Sequence, residues 1–155
     1  MIVISHRGNL TGIDKKRENN PYYIDECIEL GFDVEIDLRV KNDNLYLGHD
    51  NAEYKIYLEW LLERKNNLWV HVKEYDALIK ILGYKDKIRF FCHESDRYTL
   101  LSNGLVWCHD LDNHMNKNCI IPLLSYEQVC AYEQNDFYAV CTDYVYECKS
   151  KFIRE

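Results

Sequence analysis

Four short clusters in this chain hold residue types that can move protons and bind phosphate: His6-Arg7-Gly8, Glu35-Ile36-Asp37, His49-Asp50 and His71-Val72-Lys73. Each lies within or directly after a short apolar run, such as IVIS before His6, LYLG before His49 and LWV before His71. Histidine exchanges protons near neutral pH. Arginine grips a phosphate through two parallel hydrogen bonds, and paired carboxylates suit a hard divalent cation. Together the set reads as a metal site that handles phosphate. The Glu35-x-Asp37 spacing carries the most chemistry, because residues i and i+2 of a strand share a face. Both carboxylates then lie on one side, about 6 to 7 Å apart along the backbone, while Val34, Ile36 and Leu38 point the other way into a core. Two acids on a buried strand are unfavourable unless something cationic lies between them. Taken alone, the pair also fits a half-exposed edge strand. Its neighbours favour the buried site: His6 and His49 on opposite sides of a phosphate would supply the base and the acid of an in-line displacement.

Such residues need strand ends that converge, as in the parallel sheets and barrels of α/β proteins. Apolar runs short enough for buried strands recur at 1–5, 33–40, 68–72, 88–92, 105–108, 119–124 and 137–141. Helix-like stretches lie between them. Residues 22–30 follow Asn20-Pro21 and stop at Gly31. Residues 57–65 place Leu58, Leu61 and Leu62 on one face, and 76–82 repeat that spacing through Leu78, Ile81 and Leu82. A further stretch, 125–134, opens on Ser125. The alternation predicts parallel βαβ units with right-handed crossovers, in one domain spanning 1–155. Seven strands are visible, and the later helices look clipped. Tyr22, Trp60, Trp69 and Trp107 are expected to fill the core. The similar segments FFCHESD and VWCHDLD are explained by a shared local need more simply than by an internal repeat.

Composition narrows the partners. The 19 basic and 26 acidic side chains give a net charge of -7, which argues against nucleic acid and anionic membrane surfaces. Seven cysteines without a C-x-x-C spacing suggest reduced, mostly buried thiols. The start MIVISHRG lacks the features of a signal peptide, and no transmembrane stretch is visible. A cytoplasmic protein with no integral membrane segment is expected.

The order His6-Arg7-Gly8, Glu18-Asn19, Leu30-Gly31, Glu35-x-Asp37, His49-Asp50 resembles the glycerophosphodiester phosphodiesterases, within the wider phosphatidylinositol phospholipase C-like phosphodiesterase superfamily. The likeness is dense over 4–50. Beyond that it thins to Val72-Lys73 and to Thr142-Asp143-Tyr144, which lacks the family's closing proline. The resemblance implies an α/β fold of the TIM type, a small or incomplete (β/α) barrel of about seven to eight parallel strands with shortened outer helices. It also implies a metal-dependent hydrolase of lipid metabolism, acting on a small glycerophosphodiester-like or lysophospholipid-like substrate. On that likeness Glu35 and Asp37 hold the metal, Mg²⁺ or Ca²⁺ first. His6 and His49 are the base and the acid, Arg7 and Lys73 bind phosphate, Glu18 orients Arg7, and Asp50 stands beside His49.

Two departures stand out. Where the family's third strand reads Glu-x-Lys, this chain has His71-Val72-Lys73. His71 either ligates, moving preference toward Mg²⁺, Mn²⁺ or Zn²⁺, or fills the place while water completes the coordination. In the second case the alternative is a catalytically impaired barrel that binds a phosphorylated ligand or a protein partner. The chain is also short for a barrel of about 200 residues or more. A lost βα unit would expose an apolar face, which a homo-oligomer would cover. His93-Glu94 and His109-Asp110 also end apolar runs, and pocket lining, a structural role and a second metal site stay open for them. A Cys-His chelate is disfavoured there, because Cys92 and His93 are adjacent on a strand and point to opposite faces.

Overall fold

A computed structural model describes residues 1–111 and 115–153. The elements in chain order are β1 (Ile2–His6), α1 (Pro21–Glu29), β2 (Asp33–Lys41), β3 (Asn44–Leu47), β4 (Tyr54–Ile56), α2 (Leu58–Glu63), β5 (Leu68–Val72) and α3 (Tyr75–Leu82). They continue with β6 (Phe90–Phe91), β7 (Tyr98–Leu100), β8 (Val106–Cys108), β9 (Cys119–Pro122), α4 (Tyr126–Ala131), β10 (Ala139–Thr142) and α5 (Val145–Phe152). The molecule is mixed α/β, a ten-stranded and mostly parallel sheet with five helices. Its parallel run is β6-β5-β2-β1-β10-β9-β8. The hairpin β3–β4 adds antiparallel strands at the far end of β2, and β7 pairs antiparallel with β8.

Local chemistry accounts for the helix limits. The Asn20 side chain accepts from the Tyr22 amide at 3.0 Å, Pro21 starts α1, and Gly31 at φ 87° turns the chain out of it. Ser125 and Gln128 cap α4 reciprocally. The outward residues of β2, Val34, Ile36 and Leu38, are fully buried against Ile24 and Cys27 of α1, Leu61 of α2, and Ala77 and Ile81 of α3. The other face of the sheet gathers Ile4, Trp69, Phe91, Trp107, Ile120, Ala139 and Cys141 into one cluster. Those residues come from strands at both ends of the parallel run. Phe91 of β6 stacks on Trp107 of β8 with ring centres 4.5 Å apart, and Ser102 exchanges hydrogen bonds with the Phe90 backbone at 2.8 and 3.0 Å.

The structure departs from the expected alternation in several places. Among the described residues no helix lies between β6 and β9, where a short hairpin, β7–β8, replaces a crossover. Four elements go unread in the sequence: β4, β7 and α5 entirely, and β3 as more than an extended run. The first two span three residues each, too few for a period to register. Tyr22 is 85% exposed, because α1 turns Tyr23, Ile24 and Cys27 inward instead. Leu82 is exposed along with Tyr75 and Ile79, while Ala77 takes the core position on α3. Trp69 and Trp107 are buried as expected. Cys27, Cys119, Cys141 and Cys148 are buried, whereas Cys92 and Cys130 are exposed. No helix among the described residues is long and apolar enough to cross a membrane.

Candidate functional site

The parallel run orders the charged clusters. Register pairs His6 with Glu35 across β1 and β2, and Asp37 with His71 across β2 and β5. His6, Arg7, Glu35, His49, His71 and Lys73 therefore line one cavity of about 500 Å³. Asp37 lies beneath it, wholly buried. Glu18 and Asp50 border an adjoining hollow that shares Arg7 and His49. The residues singled out in the sequence thus meet in one region.

The acidic centre is tightly held. Arg7 Nε stands 2.9 Å from Asp37 Oδ2, and Lys73 Nζ is 3.7 Å from Asp37 Oδ1. His71 Nδ1 approaches Asp37 Oδ1 at 3.3 Å and Glu35 Oε1 at 3.6 Å. Burial alone would push the Asp37 carboxyl up, but His71, Arg7 and the Asn19 amide outweigh it and hold it well below the usual carboxylate range. His71 feels the reciprocal effect: burial opposes its charged form, and the two carboxylates raise it above its ordinary 6.5. Glu35, Asp37 and His71 each present a ligand atom within 4.8 Å of the others. Glu35 Oε2, Asp37 Oδ1 and His71 Nε2 are buried without a hydrogen-bond partner. Two oxygens and an imidazole with spare donor capacity fit a divalent cation such as Mg²⁺ or Mn²⁺.

His6 is the best-oriented imidazole. Its Nδ1 lies 2.9 Å from Asp143 Oδ1, at the end of β10, and its Nε2 lies 3.9 Å from Glu35 Oε2. Burial works against protonation, yet the Asp143 hydrogen bond and the Glu35 charge raise the His6 pKa. Asp143 is itself anchored by Asn9, whose amide donates to it at 2.7 Å and to Glu18 at 2.9 Å. Arg7 Nη1 reaches Glu18 at 3.4 Å, so Glu18 does sit against Arg7. A second amide, Asn19, donates to Asp37 Oδ2 and accepts from the Asp37 backbone, both at 2.9 Å. Arg7 and Asn19 both adopt positive φ, 55° and 60°. Such backbone is uncommon outside glycine and is held here by Arg7 N bonding Glu35 O at 2.9 Å and Asn19 N bonding Arg7 O at 3.0 Å.

His49 is placed from behind. Its Nδ1 lies 2.7 Å from Asp50 Oδ1 on an exposed loop. Arg39 of β2 donates through Nε to the Gly48 and His49 carbonyls at 3.0 Å, and its Nη1 bonds Glu74 Oε2 at 3.3 Å. Glu74 in turn accepts from Val40 N at 2.5 Å. One guanidinium thus ties the His49 loop to the segment carrying Lys73. Gly48 is at φ 146°, and a Cβ there would collide with the Asn51 carbonyl.

His93 and His109 line the same cavity. Burial first, then the charges of His71, His109 and Lys73, bring the His93 pKa down to about 4. His109 is lowered by burial and by His71. Asn9, Asn19, Asp143 and Arg39 are the functional neighbours that sequence reasoning left without a role. Asn19 and Asp143 carried a signal, as members of the Glu18-Asn19 and Thr142-Asp143-Tyr144 segments. Compared with known proteins, the chain matches no family model, no curated protein and no solved structure.

Proposed function

We propose that the chain is a phosphodiesterase acting on a small glycerophosphodiester-like or lysophospholipid-like substrate. The observation that carries this is the convergence of His6, His49, Arg7 and Lys73 around buried Glu35, Asp37 and His71 in one cavity. We infer with it that the sheet closes into a small (β/α) barrel of the glycerophosphodiester phosphodiesterase type. The stacking of Phe91 on Trp107 and the Phe90–Ser102 hydrogen bonds support closure, since they join the two ends of the parallel run.

Glu35, Asp37 and His71 would hold the cation, which when bound would neutralise charge developing on the phosphoryl oxygens. Arg7 and Lys73 grip the phosphate. His6 accepts the proton of the attacking hydroxyl, from water or from the substrate itself, at Nε2. Asp143 at Nδ1 fixes the tautomer and steadies the imidazolium that forms. As the new P–O bond forms, the bond to the leaving alcohol breaks, and that oxygen takes a proton from His49, whose other nitrogen is held by Asp50.

Hydrolysis of glycerophosphodiesters with a panel of divalent ions tests this. His6→Ala and His49→Ala should each lower kcat roughly 10²–10⁴-fold, and Glu35→Ala should remove the metal dependence. The ion pairs from His71 to both carboxylates favour one competing function, a barrel that binds phosphorylated ligands without turnover. Tight phosphate-ester binding with no release of alcohol by the folded, metal-loaded protein would decide for it.

A further inference from the structure

One wall of the cavity is left idle by this chemistry. His93, two residues beyond β6, and His109, directly after β8, both line it. Their ring centres lie 4.2 Å apart with planes tilted by 48°. His93 also stacks on His71 at 4.6 Å with planes only 4° apart. His93 Nδ1 and His109 Nε2 are both buried and without a hydrogen-bond partner. A buried polar atom without a partner calls for an explanation, and a bound ion is one that would serve both rings at once.

Geometry decides which pair can share an ion. A metal bound by two imidazoles lies near both ring planes. Parallel planes do not meet, so His71 and His93 do not bind one ion as placed. Tilted planes do meet. With metal–nitrogen bonds of about 2.0–2.1 Å, two imidazoles on neighbouring coordination positions hold their ring centres roughly 4.5–5 Å apart, a few tenths of an ångström wider than this pair. Cys108 packs against the cluster around Cys119 and Ile121, and Cys92 is exposed, bordering a neighbouring hollow that shares Lys73, His93 and Glu94 with the cavity.

We propose that His93 and His109 form a second, nitrogen-donor cation subsite for a borderline divalent ion of the Co²⁺, Ni²⁺ or Zn²⁺ class, beside the carboxylate site. Imidazole suits these ions, whereas the carboxylates suit harder ones. Water or a substrate oxygen would take the positions left open. The subsite does not depend on the chain hydrolysing a phosphodiester.

The probe is Co²⁺ titrated into the full chain, followed by calorimetry and by its visible absorption. The wild type should bind two equivalents. His93→Gln with His109→Gln should lose one equivalent and its share of the absorption, while Glu35→Gln with Asp37→Asn should lose the other and keep the imidazole component. Unchanged stoichiometry and spectrum in the first variant would overturn the subsite. Should that variant fail to fold, ring NMR of the Glu35→Gln, Asp37→Asn protein decides. Paramagnetic broadening of His93 and His109 by Co²⁺ supports the site, and unaffected rings overturn it. If that protein too is unfolded, the wild type itself is titrated, and saturation at one equivalent of Co²⁺ overturns the site. None of these measurements reads activity, so an inactive enzyme leaves the result intact.

Discussion

His6 and Asp143 show how much of this site depends on single contacts. Asp143→Asn keeps the shape but can offer His6 the wrong hydrogen-bond partner, so kcat should fall roughly hundredfold or more with KM little changed. Steady-state kinetics would show it, and equal kcat in the variant would remove Asp143 from the mechanism. Protonation has a signed consequence as well. His6 and His71 are raised in the fold, so the stability each contributes is full below 6.5 and is lost as pH rises through the raised value. Asp37 is depressed, and its contribution is lost only as pH falls below the usual carboxylate range. With chelator present, the urea midpoint should therefore stay level below pH 6.5 and drop as pH rises above it. His71→Gln should flatten that drop, and an equal slope in the variant would show that His71 is not its source. The charged residues of the site were legible in sequence because charge at the end of an apolar run is conspicuous. The roles of Asn9 and Asn19 were not. Their roles come from partners far along the chain, 134 residues away for Asn9 and Asp143, and an amide signals nothing by itself.

At the scale of elements, β2 organises the site from both ends. Its inward residues Glu35 and Asp37 build the acidic centre, and Arg39, beyond them, holds the loop after β3. Arg39→Met leaves the Gly48 and His49 carbonyls and the Glu74 carboxylate without their donor, which should cost about 1–3 kcal/mol. Hydrogen exchange should quicken in 48–50 and 73–74 ahead of the rest of the sheet, and exchange there unchanged from the wild type would refute the clamp. The strand over 68–72 and the caps of α1 were readable, since a wholly apolar run and an Asn-Pro start leave few alternatives. The hairpin β7–β8 was not, because its first strand, Tyr98–Leu100, is exposed and lacks a buried face to mark it. Helix α5 was missed for a related reason: only Val145 and Cys148 are buried in an otherwise polar segment.

For the whole molecule, the aromatic contact of Phe91 with Trp107 and His71 links the lining of the cavity to β8. Phe91→Ala should cost about 3–5 kcal/mol in denaturant unfolding. If that contact joins the ends of the sheet, the variant should also show raised exchange in β6 and β8 together, whereas a local effect on β6 alone would argue for an open sheet. Fold class was legible because strands and helices alternate through α3. The contact between β6 and β8 was not, since it rests on Phe91 stacking on Trp107 and Phe90 bonding Ser102 across a stretch without a helix.

Gly48 sets a limit of another kind. Any side chain at that position would run into the Asn51 carbonyl, so the backbone leading to His49 has a single course. Leu111, Pro122 and Leu124, from other segments of the chain, border the same cavity. A library varied at those three positions should yield altered specificity, while one varied at residue 48 should yield only loss of folded protein. Diversification of this pocket is thereby channelled away from residue 48.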